Sequence, residues 1–367
     1  MNFKISKKQI NDVMNRISKL FTTTAVLPVY KGIKITVENT GINIIVSDGT
    51  VSMQEYIDTD LEIYENGECV VDGRLFFEIV KKAADGSIWV RKEGKLLKLK
   101  SDKAEMKLVI FADDQYPSID FSFPEAHFSV ASSALENAID KTIFSASDQQ
   151  TRPVLGGLNF NITKHSCIVT GSDSYRLSQL VIPVICEKEC ILTVPKKMFS
   201  LLTSIFTGDE ELYVYFNERK ALISNENIIL QSVLLDGSFP DTGKLIPDRF
   251  ETTLTLETDK LFSALDRTAF NKEDGVTIVG IELLTDELLI TSESREVGSS
   301  VESIEYISVE GNQSVCFYCN QQYMLEALKA LSFKTCTLYY NAANKPFIFR
   351  PDDDECHLQL LLPVRHR

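Results

Sequence analysis

Gly157-Leu158-Asn159-Phe160 joins a glycine to the start of an alternating strand, and this combination occurs three times in the chain. The other two copies are Gly32-Ile33-Lys34-Ile35 and Gly280-Ile281-Glu282-Leu283, so successive copies begin 125 and 123 residues apart. A proline after an apolar strand closes each repeat, with a spacing of 123 residues. The closing prolines are Pro117, Pro240 and Pro363. Two independent markers with one period predict a single fold used three times.

Each repeat has the same order of predicted elements. A short strand at Phe3-Lys4-Ile5, Phe128-Ser129-Val130 or Leu254-Thr255-Leu256 leads into an amphipathic helix, and a second helix follows after further strands. The predicted helices cover residues 7–20, 74–85, 131–147, 195–206, 258–270 and 320–331. We therefore predict an α+β fold of three repeated domains with antiparallel sheets. The predicted domains cover residues 1–124, 125–249 and 250–367.

Length and composition are those of a globular protein. The chain has 367 residues, of which 44% are hydrophobic and 25% are charged, so each repeat is long enough to bury its own core. No apolar run approaches the roughly 20 residues that a membrane helix needs. The N-terminal residues enter a strand pattern directly, without the features of a signal peptide. We expect a cytoplasmic protein without a membrane partner.

Charge is distributed unevenly along the chain. The formal net charge is −14, which by itself argues against a nucleic-acid partner. The six predicted helices, however, carry 13 basic and 8 acidic residues, so the helices are at +5 while the rest of the chain is at −19. A protein whose helices faced a polyanion would show this partition. Lysine-rich helix surfaces that simply face solvent are the alternative explanation.

The sequence contains no catalytic or metal-binding constellation. The four histidines are not in a motif with a nucleophile or a metal-ligand partner. Cys316 and Cys319 have the CxxC spacing, but no second pair completes a zinc site. The acidic run 352–355 lacks the spacing of a calcium-binding loop, and neither a Walker loop nor a dinucleotide-binding glycine motif occurs. We expect a non-catalytic protein that needs no cofactor and no metal.

Three short segments resemble a known family. They are Ser172-Asp173-Ser174-Tyr175-Arg176-Leu177, Leu235-Asp236-Gly237-Ser238-Phe239-Pro240-Asp241 and Leu361-Leu362-Pro363-Val364-Arg365. Together with the length and the three repeats, they resemble the bacterial DNA polymerase III beta subunit, the replicative sliding clamp, over essentially the whole chain. The resemblance implies a head-to-tail dimer ring with pseudo-sixfold symmetry, in which the helices line the inner wall and the sheets lie outside.

The resemblance also implies partners. Double-stranded DNA would pass through the homodimer without sequence-specific contacts, and the ring would tether the DNA polymerase III alpha subunit, clamp-loader subunits and other proteins with a clamp-binding motif. The residues expected to face DNA are Lys7, Lys8, Arg16, Lys19, Lys81, Lys82, Lys141, Gln149, Arg152, Lys196, Lys197, Lys260, Arg267 and Lys329. Weak attraction between such cations and phosphates, without base contacts, would permit sliding.

The partner site of the family is a pocket between the second and third repeats that accepts peptides with apolar anchors. Carried over position by position, its lining is expected at Leu155, Ser172, Ser174, Tyr175, Arg176, Leu177, Pro240, Lys244, Leu245, Ile278, Asn344, Pro346, Leu360, Leu361, Leu362, Pro363, Val364 and Arg365. The chain departs from the family pattern at Ser174, where the turn often has glycine, and at Asn344 and Pro346 on the rim. These departures imply a different preference for partner peptides.

The ring interface is expected to join an edge strand of the first repeat to an edge strand of the third. Residues expected at this interface are Arg74, Met106, Leu108, Phe270 and Ile304. Two alternatives remain open from the sequence. One is a three-domain scaffold that binds proteins without encircling DNA, and the other is an enzyme with its site at a junction between repeats.

Overall fold

The computed structural model describes residues 1–21, 28–111, 116–149, 151–206, 208–268, 276–294, 298–352 and 354–365. These residues pack into two compact units. The first unit contains residues 1–133, 185–188 and 197–234. The second unit contains residues 134–184, 189–196 and 235–367.

Six α-helices occur in the described residues, two in each sequence repeat. They are α1 (Lys7–Ile17), α2 (Gly73–Lys82), α3 (Ser132–Asp140), α4 (Lys196–Ile205), α5 (Thr258–Arg267) and α6 (Gln321–Leu331). Side chains cap three of the N-termini: Ser6, Asp72 and Asn320 each accept a hydrogen bond from the backbone N–H three residues later. Such caps satisfy a backbone donor that has no partner inside the helix.

Helices α1 to α5 end before the sequence pattern predicts, and 3-10 turns follow α1 and α3. The prediction extends α1 to residue 20 and α3 to residue 147, but tighter 3-10 turns at Ser18–Leu20 and Ile143–Ser145 replace the last residues. After α3, the hydroxyl of Thr142 donates to the carbonyl of Ala138 at 2.6 Å. This side-chain bond competes with the helical backbone bond. The helical spacing of apolar residues therefore continues past the last residue of α3, and the spacing alone does not locate the end of the helix.

The strands follow the three repeats. The first repeat contains β1 (Asn2–Ser6), β2 (Gly32–Glu38), β3 (Gly41–Ser47), β4 (Val51–Ile57), β5 (Leu61–Glu65), β6 (Gly67–Asp72), β7 (Ser87–Glu93), β8 (Leu96–Ser101) and β9 (Ala104–Val109). The second contains β10 (Ala126–Ala131), β11 (Gly157–Ile162), β12 (Ser166–Ser172), β13 (Arg176–Pro183), β14 (Cys190–Pro195), β15 (Glu211–Phe216), β16 (Lys220–Ser224) and β17 (Ile228–Val233). The third contains β18 (Thr252–Glu257), β19 (Ile278–Leu283), β20 (Leu288–Ser294), β21 (Gly298–Ile304), β22 (Ser308–Gly311), β23 (Cys316–Asn320), β24 (Thr335–Tyr340), β25 (Phe347–Pro351) and β26 (His357–Leu361).

Two antiparallel sheets form the first unit. One has the strand order β5-β1-β7-β8-β9, and the other has the order β10-β15-β16-β17-β4-β3-β2-β6. In the larger sheet, β17 of the second repeat pairs with β4 of the first, and Leu230 lies opposite Met53. The apolar sides of α1 and α2 are fully buried at Val13, Met14 and Phe76.

The second unit is also built from two antiparallel sheets. Their strand orders are β14-β11-β12-β13-β26-β25-β24-β18-β22 and β21-β20-β19-β23. Here β13 of the second repeat pairs with β26 of the third, and Leu177 lies opposite Leu360. Residues of α5 and α6, such as Leu261 and Leu328, share one core with Phe347 of β25.

The second sequence repeat is divided between the two units. Its strands β10, β15, β16 and β17 belong to the first unit, whereas β11 to β14 belong to the second. Each half continues a sheet that a neighbouring repeat begins. The compact units are therefore defined by continuous sheets, and their boundaries differ from those of the sequence repeats.

Each repeated glycine stands where a strand passes close to other atoms. A Cβ atom on Gly157 would fall inside van der Waals distance of the carbonyl oxygen of Val194 on the paired strand β14. At Gly32 and Gly280 a Cβ atom would approach neighbouring side-chain atoms to 2.8 and 2.7 Å. Glycine avoids these overlaps because it has no Cβ. The marker that revealed the repeat thus has a packing cause.

Candidate functional site

A groove of about 210 Å³ opens in the second unit, where β13 pairs with β26. Leucine, proline and aromatic side chains dominate its wall, and a few polar groups stand among them. The lining residues are Arg152, Ser172, Ser174, Tyr175, Arg176, Leu177, Phe239, Pro240, Thr242, Leu245, Pro346, Leu360 and Leu362. A concave apolar slot with a few polar groups is suited to holding the apolar side chains of a ligand.

Side-chain hydrogen bonds hold the turn between β12 and β13 in one conformation. The carboxylate of Asp173 accepts hydrogen bonds from the backbone N–H groups of Tyr175 at 2.9 Å and Arg176 at 3.1 Å. The hydroxyl of Ser172 donates to the carbonyl of Arg176 at 2.8 Å. Ser174 adopts a φ of 79°, in the left-handed region that favours glycine. This turn leaves 59% of Tyr175 exposed at the groove.

Arg176 is fixed by four different partners. Its Nε donates to Asp173 at 3.0 Å, one terminal nitrogen donates to the carbonyl of Phe144 at 2.7 Å, and the other pairs with Glu326. The guanidinium carbon also lies 4.3 Å from the centre of the Tyr323 ring. Cation–π stacking and charge-assisted hydrogen bonds act together here. Arg176 is therefore a rigid part of the groove wall.

Ten of the residues predicted for the peptide pocket line this groove. They are Ser172, Ser174, Tyr175, Arg176, Leu177, Pro240, Leu245, Pro346, Leu360 and Leu362. These residues come from distant parts of the sequence, and the pairing of β13 with β26 brings two of those parts together. Their role in binding a peptide stays a prediction.

The other eight predicted pocket residues lie outside the groove lining. Leu155 and Leu361 are each 2% exposed and belong to the buried core. Lys244 is exposed and pairs with Asp241 at 3.0 Å. The remaining five are Ile278, Asn344, Pro363, Val364 and Arg365.

Three lining residues were not predicted for the pocket. Phe239 precedes the predicted Pro240, Thr242 follows it by two residues, and Arg152 was assigned to the DNA-facing set. A signal for Phe239 was present, because it belongs to the segment 235–241 that carries part of the family resemblance. Thr242 and Arg152 had no comparable signal in the sequence.

Five of the predicted DNA-facing cations are exposed and form no ion pair with a described residue. They are Lys8, Lys19, Lys81, Arg152 and Lys329. In the first unit, α1 and α2 bring Lys7, Lys8 and Lys81 around one surface depression. Gln149 is exposed as well. The five cations without an ion pair can meet an anion from solution, whereas Lys7 pairs with Asp85, which lines the same depression.

Most other predicted DNA-facing cations have a carboxylate partner. The pairs are Lys7–Asp85, Arg16–Glu55, Lys82–Glu78, Lys196–Asp148, Lys197–Asp48, Lys260–Glu257 and Arg267–Glu302. The Arg16 pair is the most enclosed of those on α1, because the Glu55 side chain is only 4% exposed. Hydrogen bonding to Arg267 lowers the pKa of Glu302. Such pairs reduce the charge that a cation offers to an external anion.

Lys141 has an internal role. Its Nζ donates to the carbonyls of Ala330 at 2.8 Å and Leu331 at 3.2 Å, at the C-terminal end of α6. Burial lowers the pKa of Lys141. A cation at this end of a helix satisfies free carbonyls and complements the helix dipole. The amino group is thus already engaged within the second unit.

Two sheet edges carry residues predicted for the ring interface. Among the described residues, β9 and β21 each have one strand neighbour, so each ends its sheet. Of the predicted interface residues, Met106 and Leu108 lie on β9, Ile304 on β21 and Arg74 on α2. Phe270 lies outside the described residues. The same edges expose Val109 at 66% and Val301 at 64%, which the sequence did not single out.

The described residues contain no group of three or more side chains that would hold a metal ion. No helix among them is both long and apolar enough to cross a membrane. His357 is fully buried on β26, with its Nε2 atom 2.7 Å from Nε2 of Gln359. Burial lowers the pKa of His357 to about 4. This histidine is therefore neutral near pH 7.

Three family models match the chain in succession. The N-terminal domain of the DNA polymerase III beta subunit matches residues 1–120, its central domain matches 129–241, and its C-terminal domain matches 243–365. The beta sliding clamp of Bacillus subtilis is 30% identical over 380 residues and covers all of both chains. The beta sliding clamp of Staphylococcus aureus strain Mu50 is 30% identical, covering 97% of this chain and 96% of that protein.

Solved structures are similar over the same length. The crystal structure of the DNA polymerase sliding clamp from Bacillus subtilis has a TM-score of 0.95 at 28% identity, with both chains fully covered. The beta subunit from the DNA polymerase of Streptococcus pyogenes has a TM-score of 0.93 at 26% identity, again with full coverage. The chain therefore belongs to the DNA polymerase III beta subunit family, and it is a sliding clamp, a non-catalytic processivity subunit.

Proposed function

We propose that two copies of this chain close head to tail into a ring around double-stranded DNA. The observation that carries this proposal is the match of all three family models, in order, along one chain. The exposed Val109 and Val301 on the sheet-ending strands β9 and β21 support it, because open edges of this kind pair between subunits. We propose domain boundaries that give domains at residues 1–124, 125–249 and 250–367. We also propose that the protein acts in the cytoplasm.

Retention on DNA would come from enclosure, with only a weak contribution from charge. Lys8, Lys19 and Lys81 in the first unit, and Arg152 and Lys329 in the second, are exposed cations without a described ion-pair partner. They can neutralise phosphates without reading bases. The net charge of −14 would repel DNA from surfaces that lack such cations.

The groove of the second unit would hold a peptide segment of each partner. The proposed partners are the DNA polymerase III alpha subunit, clamp-loader subunits and other proteins that carry a clamp-binding motif. Leu177, Leu360 and Leu362 offer an apolar surface for leucine and phenylalanine side chains. Tyr175 and Arg176 would bound the groove and orient the peptide.

The oligomeric state tests this proposal first. Light scattering of the full chain at several concentrations should give the mass of two subunits, where one subunit has a mass of 41.3 kDa. A mass that stays at one subunit at all concentrations would contradict the ring. The scaffold alternative would then account better for the groove.

A further inference from the structure

The strands that open the three sequence repeats differ in what covers their outer edge. In the first repeat, β5 pairs with β1, and in the third, β22 pairs with β18. In the second repeat, β10 ends its eight-stranded sheet and has β15 as its single strand neighbour among the described residues. The second repeat therefore lacks a covering strand that the other two repeats possess.

Chain length explains the missing strand. The covering strands β5 and β22 lie in connections of nine residues (58–66) and eleven residues (305–315). The corresponding connection in the second repeat is six residues long (184–189). It contacts β10 through one hydrogen bond, from the thiol of Cys186 to the carbonyl of His127 at 3.4 Å. The connection is too short to provide a strand and leaves the edge open.

The open edge has free hydrogen-bonding groups. The carbonyl of His127 points away from β15, because Cys186 approaches it from the other side. Outward and inward residues alternate along an antiparallel strand, and the N–H and C=O of one residue point the same way. Ser129 therefore directs both groups outward, where they have no backbone partner among the described residues. An edge of this kind is a template for another strand.

A groove of about 550 Å³ lies beside this edge, within the first unit. It is lined by Glu125, Ala126, His127, Phe128, Ser129, Ile185, Glu187, Lys188 and Tyr213. Ile185 is 81% exposed and Tyr213 is 39% exposed, so the wall offers apolar surface to an incoming side chain. Glu125 and Glu187 are exposed and form no ion pair with a described residue, and Lys188 opposes them alone. The groove lining therefore has a net negative charge and exposed apolar side chains.

We propose that β10 is a strand-addition site for an extended peptide segment in which basic and apolar residues alternate. The segment would exchange N–H···O bonds with Ser129 and extend the eight-stranded sheet, as β5 extends the sheet at β1. Its basic side chains would lie on the exposed face of the sheet and meet Glu125 and Glu187, and its apolar side chains would lie on the opposite face, beside Phe128.

A second copy of this chain fits the edge less well. The added strand would then be a second β10 (Ala126–Ala131), which has no lysine or arginine to meet Glu125 and Glu187. The site is built from residues of the first unit, whereas the groove at Arg176 is built from residues of the second. The inference therefore does not depend on the proposed function of that groove.

Amide hydrogen exchange of the full chain tests the site directly. The probe is a synthetic seven-residue peptide of alternating lysine and isoleucine, acetylated at one end and amidated at the other. We expect the peptide to slow exchange at the amide of Ser129 at least tenfold, while amides of β1, which β5 already covers, stay unchanged. The same peptide with a methyl group on every backbone nitrogen cannot donate to the ladder from either edge and should give no protection.

Charge variants provide the matched control. Replacing both acidic groups, Glu125→Lys with Glu187→Lys, should weaken binding of the peptide at least fivefold. Replacing Glu38→Lys with Asp58→Lys, two exposed acidic residues of the first unit without a described ion pair, changes the net charge equally and should leave binding unchanged. Absent protection at Ser129, equal protection by the N-methylated peptide, or equal weakening by both double variants would overturn the proposal. Protection at Ser129 without peptide, accompanied by a mass above that of two subunits, would assign the edge to self-association instead.

Discussion

The guanidinium of Arg176 stacks on the ring of Tyr323 at 4.3 Å. Arg176 lines the groove and Tyr323 does not, so Tyr323 positions a lining residue from outside the groove. Glu326 pairs with the same guanidinium from one helical turn further along α6. Helix α6 of the third repeat thus positions a side chain that β13 of the second repeat supplies. The shape of the groove depends on this contact within the second unit.

Replacing Tyr323→Leu should weaken binding of a peptide that carries leucine and phenylalanine anchors. Loss of one partly buried cation–π contact corresponds to about 1 kcal/mol, or about a fivefold loss of affinity. Fluorescence anisotropy with a labelled peptide measures the change. Phe333→Leu removes an aromatic side chain that does not line the groove and should leave affinity unchanged. Equal affinity of the Tyr323→Leu variant and the parent would refute the positioning role of Tyr323.

Ser174 should tolerate glycine but not a branched side chain. Its left-handed backbone is unfavourable for residues with a Cβ, and most of all for β-branched residues. Ser174→Val should lower the free energy of unfolding by about 1 to 2 kcal/mol. Ser174→Gly should change it by less than about 1 kcal/mol, because relief of strain opposes the added freedom of the unfolded chain. Urea denaturation compares the variants, and equal stability of both would show that the turn is unstrained.

His357 should make stability depend on pH in the acidic range. Burial lowers its pKa to about 4, below the ordinary value of about 6.5, so the unfolded chain binds this proton more readily. Stability from this group is complete above pH 6.5 and declines as the pH falls towards 4, by at most about 3 kcal/mol.

Urea denaturation at several pH values gives the free energy of unfolding as a function of pH. The slope of this free energy against pH should be smaller for His357→Gln than for the parent. His165→Gln changes an exposed histidine and should keep the parent slope. If His357→Gln retained the full slope, the acid sensitivity would have to arise from other groups.

The exposed valines on the sheet edges should control assembly. Val109→Asp or Val301→Asp should shift the mass in light scattering from two subunits towards one, because a charge would enter a strand pairing between subunits. Each variant should remain folded, since its side chain is largely exposed in one chain. Val233→Asp alters a 52% exposed valine at the end of β17, away from both edges, and should leave the mass unchanged. Dimers that persist in both edge variants would place the interface elsewhere.

The sequence predicted where helices and strands lie better than it predicted which of their side chains line the groove. Strand alternation and the repeated glycine located β2, β11 and β19, because both have local causes. Leu360, Leu361 and Leu362 are equally apolar, yet only the first and third line the groove. Successive side chains of a strand point to opposite faces, so a shift of one residue in strand register would exchange them. The pairing of β13 with β26 sets the register.

The helix cations show the same limit. Lys8 and Lys141 both lie in segments predicted as helices, but Lys8 is exposed whereas Lys141 binds carbonyls of α6, 189 residues away in the sequence. Helical spacing says nothing about a partner at such a distance. Contacts of this kind come from the packing of repeats, which only the three-dimensional structure reveals.

Retention on circular and linear DNA tests the central claim most directly. Protein loaded onto a nicked circle should stay bound through gel filtration, and cutting the circle once should release it at the same salt concentration. Enclosure predicts this difference, because a free end is needed for a ring to leave DNA. Equal release from circular and linear DNA would contradict the clamp, since binding by surface charge alone does not depend on ends.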